Sequence, residues 1–124
     1  GAEKTPAFIA SHPRMESLHG AFLNRYQRAN SDIQKEIGYP PPDTTEDAIK
    51  YMNVASNYVS NRYDCLGLTL EMPFKDTVNN SDPLKGFGPG RAKRLGRTVL
   101  EPLVEMHPYL RATGEFWKDF GCED

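Results

Sequence analysis

The clearest periodic pattern in the chain is an apolar stripe in its first third. Its residues recur at steps of three and four, the spacing of one face of an α-helix; they are Met15, Leu18, Phe22, Tyr26, Ala29, Ile33 and Ile37. The pattern predicts an amphipathic helix, which Asn30-Ser31-Asp32 can divide in two, with Ser31 or Asp32 capping the second. Gly38 and the prolines at 40–42 end it. The short apolar run at 7–10 before it predicts a strand.

A second pattern, at residues 65–72, alternates as in a strand, where successive side chains point to opposite faces. One predicted face carries Leu66, Leu68, Leu70 and Met72, and the other carries Cys65, Gly67, Thr69 and Glu71. Cys65 is expected to be a small buried residue, and Pro73 is expected to end the strand. Glu71 thus stands at the carboxyl end of a strand, where open α/β sheets place ligands, with small neighbours beside it. The alternative is a carboxylate turned toward water.

The remaining pattern completes an order of β-α-(α)-α-β-α, which predicts an α/β fold. One short helix is expected to start within Asp43–Asp47, and another is expected over 53–63. A long surface loop is expected at 75–90, after the second strand. A strong helix follows Gly90 and is ended or kinked by Pro108; its buried stripe is Ala92, Leu95, Val99, Leu103 and Met106. Two strands separated by a helical stretch are expected to be parallel. Residues 111–124 form a polar tail.

Composition narrows the class of protein. The 124 residues suit one domain, and a net charge of −2 argues against nucleic-acid binding driven by overall charge. No apolar run approaches the length that spans a membrane, so no membrane partner is expected, and residues 1–13 contain no secretory signal. Two cysteines suit a reducing compartment, so a cytoplasmic location is expected.

The residues that carry common chemistries are sparse. His12, His19 and His107 have no metal-binding spacing and are interpreted as surface or capping residues. A glycine-rich segment, 86–91, precedes a helix but lacks the ending of a P-loop. The basic residues around it are interpreted as a solvated face, with anion binding as the alternative; they are Lys85, Arg91, Lys93, Arg94 and Arg97.

One stretch resembles a known family. Residues 55–76 contain Leu68-Thr69-Leu70-Glu71-Met72-Pro73-Phe74-Lys75-Asp76, and this stretch closely resembles the zinc carboxypeptidases, most of all their cytosolic and bacterial cytosolic-like branch. The segment 86–96 and the helix after it are similar to that family's C-terminal helix. The resemblance covers roughly residues 5–110 and implies the C-terminal part of a carboxypeptidase-like mixed sheet with flanking helices, over the whole of 1–124.

The resemblance also implies a site. Glu71 would be the general base that activates a zinc-bound water in the hydrolysis of a peptide's or protein's C-terminal bond. Tyr51 and Tyr58 are the candidates for the family's substrate-contacting tyrosine. Ser56 and Asn57 resemble the floor of the pocket for the terminal side chain of the substrate.

The chain departs from the family in its metal ligands. The family's His-x-x-Glu pair, its later His and its substrate-binding Arg would all lie upstream of this chain, so zinc is expected to be bound by residues outside it. Gly1-Ala2-Glu3 resembles the segment after the third ligand, with Ala2 where an acid is expected. The chain is therefore expected to need the rest of a catalytic domain and to be inactive alone. The alternative is a non-catalytic, carboxypeptidase-like module that binds a peptide or partner.

Overall fold

The computed structural model describes residues 6–11, 15–39 and 50–110. Two strands, four α-helices and two 3₁₀ turns lie in these ranges, in the order β1 (Phe8–Ser11), α1 (Glu16–Ala29), a 3₁₀ turn (Tyr51–Asn53), α2 (Ala55–Tyr63), β2 (Leu68–Glu71), α3 (Pro89–Thr98), α4 (Leu100–Met106) and a 3₁₀ turn (His107–Tyr109). The predicted α/β class is confirmed. The predictions for His12, Asp43–Asp47 and the tail at 111–124 lie outside the described residues.

The two strands pair antiparallel, so the expectation of parallel strands is wrong. Phe8 lies opposite Glu71, and Ser11 lies opposite Leu68. The segment that runs parallel to β1 is the one directly after α1. There Ile33 forms an isolated parallel bridge with Ala7. The later segment that contains α2 adds one more reversal, and β2 therefore enters the sheet in the opposite direction.

The first helix ends at Ala29, and no second helix follows it within the described residues 30–39. The side chain of Asn30 donates to the Thr98 hydroxyl at 3.1 Å, and its backbone is extended. The backbone amide of Gln34 donates to the Ala7 carbonyl at 2.9 Å, which holds this segment beside the residue that precedes β1. The apolar stripe past Ala29 therefore comes from a sheet-edge segment, which buries Ile33 without a helix.

The core lies between α1, one face of the two strands and the C-terminal helices. Its buried members are Ala7, Ile9, Leu18, Ala21, Phe22, Leu23, Tyr26, Ile33, Leu95 and Met106. The Tyr26 hydroxyl donates to the Leu95 carbonyl at 2.8 Å, which ties α1 to α3. Burial raises the pKa of Tyr26 to about 12, so it stays a donor.

The predicted long C-terminal helix is two helices that meet at Val99. Pro102 explains the break, because a proline has no amide to give the carbonyl four residues earlier and its ring crowds that carbonyl. It is tolerated in the first turn of α4, where it is buried. No helix among the described residues is both long and apolar enough to cross a bilayer.

A buried ion pair joins the turn after α1 to α3. The Asp32 side chain is fully buried, and Arg91 reaches both of its oxygens, Nη2 to Oδ1 at 2.7 Å and Nε to Oδ2 at 3.1 Å. Arg94 adds a contact to Oδ2 at 3.2 Å, and the Asn80 amide donates to Oδ1 at 3.0 Å. The carboxylate is thus held by donors from two separate segments, which is what a charge out of water requires.

This pair corrects two predictions. Asp32 caps no helix, and the basic cluster is not simply a solvated face, because the Arg91 side chain is only 15% exposed. Burial alone would raise the pKa of Asp32, but the hydrogen bonds from Arg91, Asn80 and Arg94 outweigh it, so the pKa is lowered. The same contact with Asp32 raises the pKa of Arg91.

Asp32→Asn tests the ion pair. The substitution keeps the shape of the side chain but leaves the Arg91 guanidinium, in its largely buried position, without its main counter-charge. We expect the free energy of unfolding to fall by about 3 kcal/mol, measured by urea denaturation. Glu36→Gln, at an exposed carboxylate, is the matched control and is expected to change it by less than about 0.5 kcal/mol.

The stabilisation by Asp32 also depends on pH in a defined direction. The folded pKa lies below the unfolded value of about 3.9, so the stabilisation is complete above that value and is lost as pH falls through the folded pKa. The Asp32→Asn variant should therefore lose less stability than the wild type between pH 5 and the acid transition, by about 1.4 kcal/mol per pH unit at most. Equal slopes in the two proteins would contradict the assignment.

Candidate active site

Glu71 is the last residue of β2, and it lies at the edge of the sheet where β2 ends and β1 begins. It lies opposite Phe8, the first residue of β1. Leu68 and Leu70 pack on the core, so Thr69 and Glu71 point to the opposite face of the strand. Pro73, which is buried, follows two residues later, and Met72, predicted to share the face of Leu70, lies beyond the strand and is exposed. The carboxylate is therefore partly accessible at the rim of the sheet.

Tyr39 contacts this carboxylate directly. Its hydroxyl donates to Glu71 Oε1 at 3.0 Å, and its ring packs edge-on against Phe8, with ring centroids 5.4 Å apart. The hydrogen bond from the Tyr39 hydroxyl is one of the contacts that lower the pKa of Glu71. The contact with Glu71 raises the pKa of Tyr39 in turn. Both shifts favour an ionised carboxylate and a neutral phenol.

The face of β2 that carries Thr69 and Glu71 is covered closely by α2. The hydroxyls of Ser56 and Thr69 are 2.9 Å apart, so Ser56 lies beside the face that carries Glu71. Gly67 permits this approach: a Cβ there would lie 2.5 Å from the Ser56 carbonyl oxygen and 2.5 Å from Ser60 Oγ. The small residues predicted to leave space beside the carboxylate instead make room for the backbone of α2.

The remaining predicted substrate residues lie on α2 or just before it. Asn57 is partly buried one residue after Ser56, and Tyr58 is about half exposed. Tyr51 begins the 3₁₀ turn before α2, and its side chain lies outside the described residues. Ser56 is thus the predicted residue that the structure brings to the face of Glu71.

The long loop after β2 is ordered by carboxylates. Asp76 accepts hydrogen bonds from Ser81 Oγ at 2.8 Å and from the Thr77 amide at 2.8 Å, and lies 3.7 Å from Arg91. The hydrogen bond from Ser81 contributes most to lowering the pKa of Asp76, and the one from the Thr77 amide adds to it. Phe87 N donates to the Lys75 carbonyl at 2.6 Å, and the turn before it uses the positive φ of Gly86, which is 61°. The loop is therefore closed on itself beside the ion pair.

The described residues do not form a metal centre. They contain no group of three or more histidines, cysteines or acidic residues arranged to hold a metal. His19 is not the surface or capping residue expected: its Nε2 is buried without a hydrogen-bond partner among the described residues, and burial lowers its pKa. Cys65 lies before β2, partly exposed, so the buried position predicted for it is wrong.

Sequence reasoning missed Tyr39 and the pairing role of Asp32. Tyr39 stands in what the pattern predicts as the start of a loop, 32 positions before Glu71. The signal that points to it is indirect: Ile33 continues the apolar stripe, and a buried Ile33 beside β1 carries the following residues toward the end of the sheet.

The chain is similar to solved structures that are named as carboxypeptidases. A metallo-carboxypeptidase from Burkholderia cenocepacia superposes with a TM-score of 0.70 and 34% identity, over 84% of this chain and 29% of that one. A protein classed as a carboxypeptidase from Burkholderia mallei gives 0.69 and 37%, over 81% and 27%. One classed as a carboxypeptidase A from Shewanella denitrificans gives 0.68 and 32%, over 82% and 28%. The chain therefore has a carboxypeptidase-like fold.

Sequence comparison adds one uncharacterised relative. A protein of Zymomonas mobilis is 34% identical over 100 residues, which are 81% of this chain and 26% of that protein. No protein-family model matches the chain. The chain thus spans about a quarter of the length of the proteins it resembles.

Gly67→Ala tests the close packing of α2 on the strand of Glu71. The added methyl group meets backbone at Ser56, which cannot rotate away, so we expect the free energy of unfolding to fall by about 1–3 kcal/mol. Gly96→Ala is the control, because nothing lies within 4 Å of a Cβ there, and in the interior of α3 it is expected to stabilise by about 0.8–1 kcal/mol. Equal effects at both positions in urea unfolding would contradict this packing.

Proposed function

We propose that this chain is the base-bearing C-terminal portion of a metallocarboxypeptidase that hydrolyses the C-terminal peptide bond of peptides or proteins. The observation that carries the proposal is Glu71 itself: a partly accessible, hydrogen-bonded carboxylate at the end of a strand. It stands in a fold whose solved counterparts are described as carboxypeptidases.

Glu71 is suited to act as a general base. A glutamate carboxylate at an accessible position is ionised at neutral pH and can therefore accept a proton. In the proposed reaction it takes a proton from the attacking water as the new bond to the carbonyl carbon forms, and it delivers a proton to the leaving amine as the peptide bond breaks. The carboxylate is then restored for the next cycle.

In our proposal, the metal is bound by a part of the protein outside this chain. The described residues do not fit a zinc site, and the comparison that names a metal concerns a protein of which this chain covers 29%. We propose that the missing ligands come from the remainder of the catalytic domain and that the complete protein works in the cytoplasm.

The substrate side is proposed to use α2 and the turn before it. Ser56 presents its hydroxyl next to Thr69 on the face of Glu71, and Asn57 and Tyr58 follow it on the helix. These three residues, with Tyr51, are proposed to contact the terminal residue of the substrate.

Glu71→Gln in the complete protein tests the role of the carboxylate. Hydrolysis of a panel of blocked dipeptides with different C-terminal residues should fall by about 10²–10⁴-fold, measured by release of the free amino acid, while the bound metal measured by mass spectrometry stays unchanged. Glu101→Gln, at an exposed position of α4, is the control and should keep full activity. Undiminished turnover in Glu71→Gln would contradict the proposal.

A non-catalytic peptide- or partner-binding module is the alternative that the same fold supports. The two are separated by the coding sequence immediately upstream of Gly1. We expect a histidine codon just before Gly1 and a His-x-x-Glu pair farther upstream, which would supply the metal ligands. Their absence would leave Glu71 without a metal-bound water and favour the binding module.

A further inference from the structure

We propose that Tyr39 is a positioning residue for Glu71, holding the carboxylate in its working orientation through a hydrogen bond to Oε1. This inference rests on the proposed function, because it assigns a role in the same reaction. It adds a residue on a different segment from those implied by the resemblance, all of which lie at 51–58 or in β2.

The contact is built from two sides. The Tyr39 hydroxyl reaches Glu71 Oε1 at 3.0 Å, and the edge of its ring packs on Phe8 with a centroid separation of 5.4 Å. Phe8 is also the residue directly opposite Glu71 in the strand pair. Phe8 therefore contacts the ring of Tyr39 and also pairs with Glu71. The packed ring directs the Tyr39 hydroxyl toward the carboxylate.

The segment that carries Tyr39 is anchored at its start. Ile33 is fully buried and bridges Ala7, and the Gln34 amide donates to the Ala7 carbonyl. One residue earlier, Asp32 is locked by Arg91. The ion pair in the interior therefore sets the point from which residues 33–39 run toward Glu71.

The position suits support of a base better than burial of a hydrophobic ring. Tyr39 is 63% exposed, so its packing contributes little to the core, and its ring contact with Phe8 serves to place the hydroxyl at Glu71. Among the described residues, the Tyr39 hydroxyl is a titratable group in direct contact with the Glu71 carboxylate. A neutral phenol that donates to the carboxylate favours its ionised form without adding charge.

A positioning role predicts a particular split of kinetic effects. Orientation of the base matters as the proton moves, so loss of the hydroxyl should lower kcat more than it changes KM. Loss of a donor to the carboxylate should also raise the pKa of Glu71, and with it the acidic limb of the kcat/KM profile.

Tyr39→Phe in the complete protein tests this, because the ring contact with Phe8 is kept and only the hydroxyl is removed. With the blocked dipeptide that the wild type hydrolyses fastest, we expect kcat to fall about five-fold with KM changed less than about two-fold, the size of one net hydrogen bond. The acidic limb should move up by roughly half a pH unit. Tyr63→Phe, a half-exposed tyrosine at the end of α2, is the control and should match the wild type in all three.

A readout independent of turnover accompanies the kinetics. The Glu71 carboxyl carbon, labelled with ¹³C and assigned by its absence in Glu71→Gln, should titrate at higher pH in Tyr39→Phe than in the wild type. Unchanged titration, or a variant with wild-type kcat and an unmoved acidic limb, would overturn the role of Tyr39 while leaving the proposed function intact. A wild-type protein that hydrolyses none of the dipeptides would instead overturn the proposed function, and this inference with it.

Discussion

The buried carboxylate of Asp32 is the constraint on which most of the described structure depends. A charge with no exposed surface is tolerated only if donors surround it, and here they come from α3 and from the loop after β2. Those two segments are thereby fixed relative to the turn that ends α1. The loop at 75–88 is consequently an ordered part of the molecule, and the C-terminal helices dock in one orientation.

The same arrangement connects the interior with the candidate site. From Asp32 the chain passes through the bridge at Ile33 to Tyr39, which meets Glu71 across Phe8. Each step is a short-range contact: an ion pair, a backbone hydrogen bond, a ring contact and a hydrogen bond to the carboxylate. The position of the proposed base is therefore determined both by its own strand and by a segment anchored in the core.

The sequence allowed the helices and the key strand to be predicted, because their signals are local. The stripe of Leu18, Phe22 and Tyr26 is buried as expected, and β2 ends before Pro73. What lay beyond prediction is non-local. The direction of β2 depends on the number of reversals between the strands, and Asp32 and Arg91 look like any exposed charges until the fold brings them together. Tyr39 is a further non-local feature, since its contact with Glu71 depends on the register of the two strands.

The separation of Asp32 and Arg91 along the chain has a consequence for how the protein folds. The two residues are 59 positions apart, so the contact forms only after a long stretch of chain has been ordered at an entropic cost. Until α3 arrives, packing of α1 and its following turn on β1 would bury an uncompensated charge. The helix, the strands and the C-terminal segment are therefore expected to become native in one cooperative step rather than in sequence, and that step is slowed by its dependence on distant contacts.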